Sequence, residues 1–538
     1  MSAYRVDFTT GCSVATAAEI FAAEGKLGFM MSLSSAAMRL RAVDTDPTDG
    51  VNTIEVARSG VNAPTVAYQA AAWATATQYL TLLDADDMPA LRPVASRSTN
   101  FPSIGLESGV FTNRNGAALV ARSDDALFIA FRGSNDIDGG IGSSPDSKQW
   151  GDRRSDHWKL FQQLDAAIKT YLAQHPEITK VYVTGHSLGG GMVNAFMQSH
   201  KGDIYEGVSF GSIRYGKGTS RSDDRVTNVW NDSDIALALG GRADGHNIRF
   251  KVVGPDPTGE HMPWLYQAEI KFLAELGYGM DELAGYNRVV FGALPTGLFS
   301  SGIGIGADSL TGTGGRDLIL GGALSDRLQG RAGLDRIDGG SGARDTAIYS
   351  EKSAGITVAL DGANWTSVLI GSRTEDLIRN IEDVEGGKRA DVLIGDGNSN
   401  RLSGNGGADY ITGGDGRDTL AGGAGRDVLT GGEGGDAFLF NAKAGKGNAD
   451  TIVDFTPGVD QIQLENTVFK ALGKTFTPSE FYAAAGATKA HDKTDHIIYD
   501  TLTGRLYYDA DGKGGSGGAL IATLEGKPAL SWDDFALV

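Results

Sequence analysis

Apolar residues follow three different rhythms along this chain of 538 residues. Over positions 1–300 they gather in runs of strand length, among them 126–131, 181–184, 207–211, 226–230 and 247–253. Runs of this kind, bounded by polar or glycine-containing turns, predict buried strands, and the stretch 191–197 reads as a helix. From 301 to 436 the rhythm changes to single apolar residues on a nine-residue period: Leu310, Ile319, Leu328 and Ile337, then Leu393, Ile411, Leu420 and Leu429. Residues 346–385 break that period, and the alternation in 356–360 predicts a longer strand that interrupts or caps the array. Beyond 436, strand–turn–strand patterns return at 451–462 and 496–509, around Pro457-Gly458 and Thr503-Gly504.

The chemistry of the nine-residue array lies in what flanks its apolar positions. Asp308, Asp317, Asp326 and Asp335 stand nine apart, and Asp391, Asn400, Asp409, Asp418, Asp427 and Asp436 share the same period. Glycines precede most of them, most cleanly in Gly413-Gly414-Asp415-Gly416-Arg417-Asp418 and Gly422-Gly423-Ala424-Gly425-Arg426-Asp427. Of the 77 glycines, 33 fall in 301–436. The excess therefore belongs to the array. Glycine allows the positive φ and close backbone approach that tight turns need. Stacked turns would bring carboxylates and carbonyls into the oxygen cages that Ca²⁺ prefers. A flexible Gly/Asp linker has no reason to hold phase through so many units. The pattern resembles the RTX calcium-binding nonapeptide repeat, which implies a parallel β-roll with Asp308, Asp317, Asp326, Asp335, Asp391, Asp409, Asp418, Asp427 and Asp436 as Ca²⁺ ligands. Thr313 and Arg331 replace the second glycine, Leu324 the fourth-position glycine and Asn400 an acid, while Asp345 sits one step out of phase. The first run is therefore expected to bind calcium more weakly than the second.

Within 1–300 one motif carries catalytic chemistry. The apolar run 181–184 leads into Gly185-His186-Ser187-Leu188-Gly189-Gly190 and then into the helical stretch 191–197. Strand, G-x-S-x-G, helix is the context of a nucleophile elbow, whose sharp turn presents the serine hydroxyl. A second run, 126–131, ends in Arg132-Gly133-Ser134. Together these motifs resemble the class 3 lipases of the α/β-hydrolase fold over roughly 66–268, and the order of segments resembles the extracellular bacterial lipases with RTX tails.

The resemblance implies Ser187 as nucleophile, with the N–H groups of Ser134 and Leu188 forming the oxyanion hole; a plain strand-ending turn is the alternative for Ser134. It puts the acid just after 226–230, at Asp234 or Asp232, with Asp234 preferred because Ile235 anchors the turn. It puts the base shortly after 247–253, at His261 ahead of His246. His200 ends the helix after the elbow, His186 is part of the elbow and His157 precedes it. A lid, or a plain surface loop, is expected within 139–157.

Lys and Arg number 48 against 67 Asp and Glu, a formal charge of −19 with no basic block. That field repels phosphate backbones, so nucleic acid is not an expected partner. The most apolar stretch, 66–83, is broken by Tyr68, Gln69, Gln78 and Tyr79. It falls short of the ~20 apolar residues of a membrane span. No H-E-x-x-H occurs, which argues against a metalloprotease. The single Cys12 cannot form an intramolecular disulfide, and residues 1–8 carry no Sec-type pattern, which alone would point to the cytosol.

The ending Asp533-Asp534-Phe535-Ala536-Leu537-Val538 reverses that reading. It resembles the targeting regions of type I substrates, which implies passage through an ABC exporter and folding on calcium outside the cell. The expected architecture is an α/β-hydrolase domain at 1–300, an all-β parallel β-roll at 301–436 interrupted at about 346–385, and a β-rich C-terminal cap and secretion region at 437–538. The expected function is that of a secreted, monomeric, calcium-dependent triacylglycerol lipase or carboxylesterase acting on ester substrate at a lipid–water interface. Phospholipase A1 and polyester depolymerase are the chemical alternatives, and a calcium-dependent RTX adhesin is the non-enzyme one.

Overall fold

The computed structural model describes residues 15–37, 78–98, 101–113, 116–132, 158–186, 188–211, 223, 225–231, 246–252, 266, 270, 273, 276–278, 283, 286, 288–291, 307–342, 344–513 and 517–538. The chain divides into two compact units, Met1–Asn287 with Gly297–Ser301, and Arg288–Thr296 with Gly302–Val538.

The first unit is built on a sheet that changes direction once. Strands Val110–Asn113, Gly116–Arg122 and Ala126–Phe131 run antiparallel. From Ala126–Phe131 onward the neighbours Lys180–His186, Tyr205–Phe210, Val226–Asn231 and His246–Val252 are all parallel. Both faces are covered, as a parallel sheet requires. Leu127, Ile129, Phe131, Val181 and Val183 face a core with Leu164, Ile168 and Tyr171 of helix Gln162–Gln174 and Met192 and Phe196 of helix Leu188–Ser199. Phe128 and Tyr182 point the other way, where Phe21 and Phe29 of helices Ala17–Glu24 and Lys26–Ala37 pack edge-on against them. Thr184 is buried on that face and donates its hydroxyl to the Met30 carbonyl at 3.1 Å.

The second unit is a roll of two facing sheets. In one, the apolar residues of Leu310, Leu328, Ala347, Val384, Leu402, Leu420, Phe438, Ile462 and Phe535 align strand by strand. In the other, Ile319, Ile337 and Ile378 form one ladder, and Leu393, Ile411, Leu429, Ile452 and Leu524 form another. All of these side chains are buried. The nine-residue period thus becomes one sheet per repeat, and two repeats close one turn of the roll.

Strand Arg288–Phe291 pairs in parallel with Asp317–Gly322 and so lies in this unit rather than with the hydrolase sheet. At 346–385 the sheet that runs from Leu310 to Phe535 goes straight on, Thr346–Ile348 beside Asp383–Glu385. The other sheet instead takes in the strands Arg373–Arg379, Thr366–Ile370 and Ile356–Ala359 before Val392–Ile394 resumes the repeat. The C-terminal region extends the same two sheets. Strand Phe535–Leu537 is the last rung, and the buried Asp534 accepts the Gly458 N–H at 2.8 Å.

Turn spacing in the roll is tight enough to exclude any side chain at certain glycines. A Cβ on Gly425, whose φ is +151°, would lie 1.5 Å from the Gly407 carbonyl oxygen. Gly425→Ala is expected to destabilise the roll by at least ~1–3 kcal/mol, the range for a forced backbone conformation alone. The exposed Gly447, with nothing within 4 Å of its would-be Cβ, is the control. Gly447→Ala should stay within about 0.5 kcal/mol. Urea unfolding in calcium measures both, and equal losses would contradict the turn stacking described.

Candidate functional site

Strand Lys180–His186 ends and helix Leu188–Ser199 begins with a single residue, Ser187, between them. A reversal this sharp requires bare backbone on either side. A Cβ on Gly185 would meet the Gly189 carbonyl oxygen at 2.5 Å, and one on Gly189 would meet the Phe131 carbonyl oxygen at 2.2 Å. The elbow is therefore wedged against the end of the neighbouring strand. Leu188 is buried and opens the helix, so its N–H is one of those with no acceptor within the helix. Ser187, Ser134, Asp232, Asp234, His157, His261 and the stretch 139–157 lie outside the described residues.

The strands that lead to those positions form one continuous register: Phe131, Gly185, Ser209, Asn228 and Asn247 stand side by side across the sheet. Strand Ala126–Phe131 stops three residues before Ser134, and Val226–Asn231 stops three before Asp234. His246–Val252 continues past the common line and stops nine residues before His261. Beneath this edge the buried Ser209 hydroxyl donates to the Asn228 side-chain carbonyl at 2.5 Å.

Two of the weighed histidines are placed by the backbone. His200 follows the 12-residue helix, which puts it about 18 Å from the elbow at 1.5 Å per residue. There it is a packing residue, with Nδ1 2.9 Å from the Phe196 carbonyl oxygen and Nε2 3.2 Å from Asp165 Oδ1. Burial pushes its pKa down. His246 pairs with Thr227, three strands across from the elbow strand, or about 14 Å away at ordinary strand spacing. Along the backbone, both positions stand well away from the junction of Lys180–His186 with its helix.

In the roll the repeat acids do two different things with their two oxygens. Oδ1 accepts the N–H of the acid one turn earlier: Asp335 from Asp317 at 2.7 Å, Asp409 from Asp391 at 2.8 Å, Asp427 from Asp409 and Asp436 from Asp418 at 2.9 Å. The Oδ2 atoms of Asp326, Asp335, Asp409, Asp418, Asp427 and Asp436 are buried without a hydrogen-bond partner. A carboxylate oxygen in that position calls for a cation. At Gly404 and Gly413 such an oxygen and a carbonyl of the next turn both lie within 3 Å of where a Cβ would stand, and an all-oxygen setting of this kind fits Ca²⁺.

Not every repeat acid is alike. Asp391 Oδ2 accepts the Gly387 N–H at 2.7 Å, and Asp317 Oδ2 accepts both the N–H and the hydroxyl of Thr313. Asp308 is half-buried at the start of the array. Four further acids, Asp345, Asp376, Asp450 and Asp460, accept the N–H groups of Asp326, Asp335, Asp427 and Asp436 respectively. Of these only Asp345 drew notice in the sequence; the others lie off the nine-residue period, and only strand pairing brings them into line.

Residues 128–219 match the lipase (class 3) family, and 303–323, 320–343, 385–420 and 412–440 match the RTX calcium-binding nonapeptide repeat. These two matches define the class of protein: a carboxylic ester hydrolase with a class 3 lipase domain followed by RTX calcium-binding repeats. The chain matches no curated protein. Among solved structures, the extracellular lipase LipA from Serratia marcescens is 17% identical over 99% of this chain and 100% of its own, with a TM-score of 0.39. The Rhizomucor miehei triacylglyceride lipase is 19% identical over 46% of this chain and 77% of its own, with a TM-score of 0.23. The AlgE6R3 subunit of the Azotobacter vinelandii mannuronan C5-epimerase is 29% identical over 28% and 80%, with a TM-score of 0.19. Among the described residues, no helix is long and apolar enough to cross a membrane.

The buried acids make the calcium-free roll sensitive to pH. Burial raises Asp335 from the usual 3.8 to about 8, Asp409 to about 7, and Asp326 and Asp418 to about 6. Neighbouring carboxylates add to the rise, Asp427 and Asp391 beside Asp409. A raised folded-state pKa means the folded roll holds protons that the unfolded chain releases. Stability is then complete below about pH 4 and is lost as the pH climbs through about 6 to 8. In EGTA, the urea midpoint of the roll is therefore expected to be higher at about pH 5 than at about pH 8. Saturating calcium should reverse that order, because protons compete with the ion for the same oxygens. A calcium-free midpoint that is flat or rises with pH would contradict the burial described.

Proposed function

We propose that the chain is a secreted, calcium-dependent serine lipase that hydrolyses acylglycerol esters through Ser187, Asp234 and His261. The observation that carries this reading is the one-residue turn at Ser187, held by Gly185 and Gly189 against the end of strand Ala126–Phe131. The positions proposed for the oxyanion donors, acid and base all follow the ends of strands in the same sheet. Asp234 follows two strands over from the elbow strand, and the placements of His200 and His246 away from the elbow support the choice of His261 as base.

The chemistry is two-step acyl transfer. His261 takes the Ser187 proton as Oγ attacks the ester carbonyl, and Asp234 fixes the imidazole tautomer and stabilises the imidazolium. The N–H groups of Leu188 and Ser134 receive the developing oxyanion, where preorganised donors act most strongly. His261 returns the proton to the departing alcohol. It then activates the water that releases the fatty acid from the serine ester. Calcium supplies charge neutralisation in the roll when bound; the hydrolytic steps belong to the first unit alone. Export through a type I ABC transporter suits this arrangement, because a calcium-poor cytosol leaves the acid ladder unneutralised.

A panel of tributyrin, triolein, phosphatidylcholine and an aliphatic polyester, assayed on wild type and variants, tests the proposal. Wild type should prefer triacylglycerols, and Ser187→Ala should lower kcat on the order of 10⁴-fold or more. Asp234→Asn should lose about 10²–10⁴-fold, with Asp232→Asn mild. Retained activity in Ser187→Ala would sink the mechanism. A severe Asp232→Asn beside a mild Asp234→Asn would transfer the acid's role to Asp232. Preference for phosphatidylcholine or polyester would change the substrate and leave the triad standing.

A further inference from the structure

The inserted strands within 349–382 interrupt one row of carboxylates, while the other runs on through Asp345 and Glu382, and in each row one step near the insertion lacks a repeat acid and has a side-chain nitrogen close by. In one row the acids run Asp317, Asp335 and Asp376, then Asp391, Asp409 and Asp427, and between the two groups Ile356, in register with Asp391, donates its N–H to Asp391 Oδ1 at 2.8 Å. No repeat acid stands at that step. Lys352 lies four residues before Ile356, on the loop between strands Thr346–Ile348 and Ile356–Ala359. The loop is stacked on the next turn, with the Tyr349 N–H donating to the Glu385 carbonyl and the Lys352 N–H to the Tyr349 carbonyl, at 2.8 and 2.9 Å. Among the described residues Lys352 is the one buried lysine, 8% exposed. Its ammonium donates to the Arg331 carbonyl and to the Glu375 carboxylate, with Glu351 Oε1 at 3.6 Å. Arg331 holds the second position of the repeat that ends in Asp335, so a turn carbonyl of the ladder binds the ammonium. The same charge partly offsets the rise that burial imposes on Asp335 and Asp376.

In the other row, Asp345, Glu382, Asn400 and Asp418 follow one another, and Asn400 holds an amide where its neighbours hold acids. Its side chain is fully buried and both amide atoms are used: Oδ1 accepts the Asp396 N–H at 2.9 Å, and Nδ2 donates to the Glu382 carbonyl at 3.0 Å. The acids of the next two repeats, Asp409 and Asp418, keep an Oδ2 without a donor, whereas Asn400, like Asp391 before it, accepts the N–H four residues back, and it carries no second oxygen. Arg344 completes the arrangement by bonding Asp383 at 3.2 Å. A buried carbonyl oxygen that could face an ion faces an N–H instead, which satisfies it without metal.

We propose that Lys352 and Asn400 stand in for calcium ions at the insertion, so that the roll binds calcium as two separate arrays joined by a metal-independent joint. The inference rests on the calcium reading of the roll given above. One consequence is that the first array and the second can fill independently, while the joint stays closed at any calcium concentration.

Calcium stoichiometry of the full-length chain, by native mass spectrometry and isothermal titration, tests it. Asn400→Asp restores a carboxylate with almost no change of shape and should bind one additional ion per chain. Lys352→Met removes the internal cation while keeping side-chain length, leaving Glu375, Asp335 and Asp376 to recruit an ion, again one more per chain. The double variant should gain two. Lys352→Met is expected to fold only in calcium, so Asn400→Asp carries the count on its own, and its thermal midpoint in EGTA should fall below that of wild type. An unchanged count in Asn400→Asp overturns the proposal. A wild type that binds no calcium at all overturns it together with the calcium reading, and the two failures are told apart by the wild-type titration.

Discussion

Most turns of the roll bury a carboxylate with one oxygen that has no hydrogen donor, Asp326, Asp335, Asp409, Asp418, Asp427 and Asp436 among them. The rest of the second unit is arranged around that constraint. The apolar ladders from Leu310 to Phe535 and from Leu393 to Leu524 pull successive turns together. The same stacking brings like charges within interacting distance and strips them of water, which pushes acids such as Asp335 and Asp409 well above their ordinary pKa. A cation reconciles the two demands. With one bound only to the folded form, folding is drawn along by binding. Glycine is the third party: at Gly425 the turns approach so closely that a methyl group has no room.

The first unit solves a different problem with the same kind of close approach. Gly185 and Gly189 let the elbow helix press against the end of strand Ala126–Phe131, so sheet and helix meet in a closely packed junction. The buried faces on both sides of the sheet, with Phe128 and Tyr182 on one and Val181, Val183 and Phe131 on the other, hold that junction in place. Rigidity there is what a nucleophile elbow requires, since the hydroxyl must be presented without reorganisation.

Much of this was legible in the amino-acid sequence, for identifiable reasons. The nine-residue period is visible because each repeat uses the same residue types for the same turn, and it led directly to the acids from Asp308 to Asp436. The elbow is visible because strand, glycine-flanked serine and helix follow one another without a gap. Asp376, Asp450 and Asp460 were not legible, because they enter the ladder from strands of a different length, 41, 23 and 24 residues after their partners. Nor was the pairing of Arg288–Phe291 with the roll, which leaves no local mark on four residues that read like any short strand. Helices Ala17–Glu24 and Lys26–Ala37 also went unread: the second is buried nearly all round, Ser32, Ser34 and Ser35 included, so it lacks the one-sided apolar stripe by which a surface helix is recognised.

The central claim is that the unpartnered oxygens of the roll are calcium ligands. Anomalous diffraction from crystals of the full chain grown in calcium tests it most directly. The account predicts ion peaks about 2.3–2.6 Å from Oδ2 of Asp409, Asp418, Asp427 and Asp436. Well-ordered density in which those oxygens accept protein N–H groups, with no ion beside them, would contradict it.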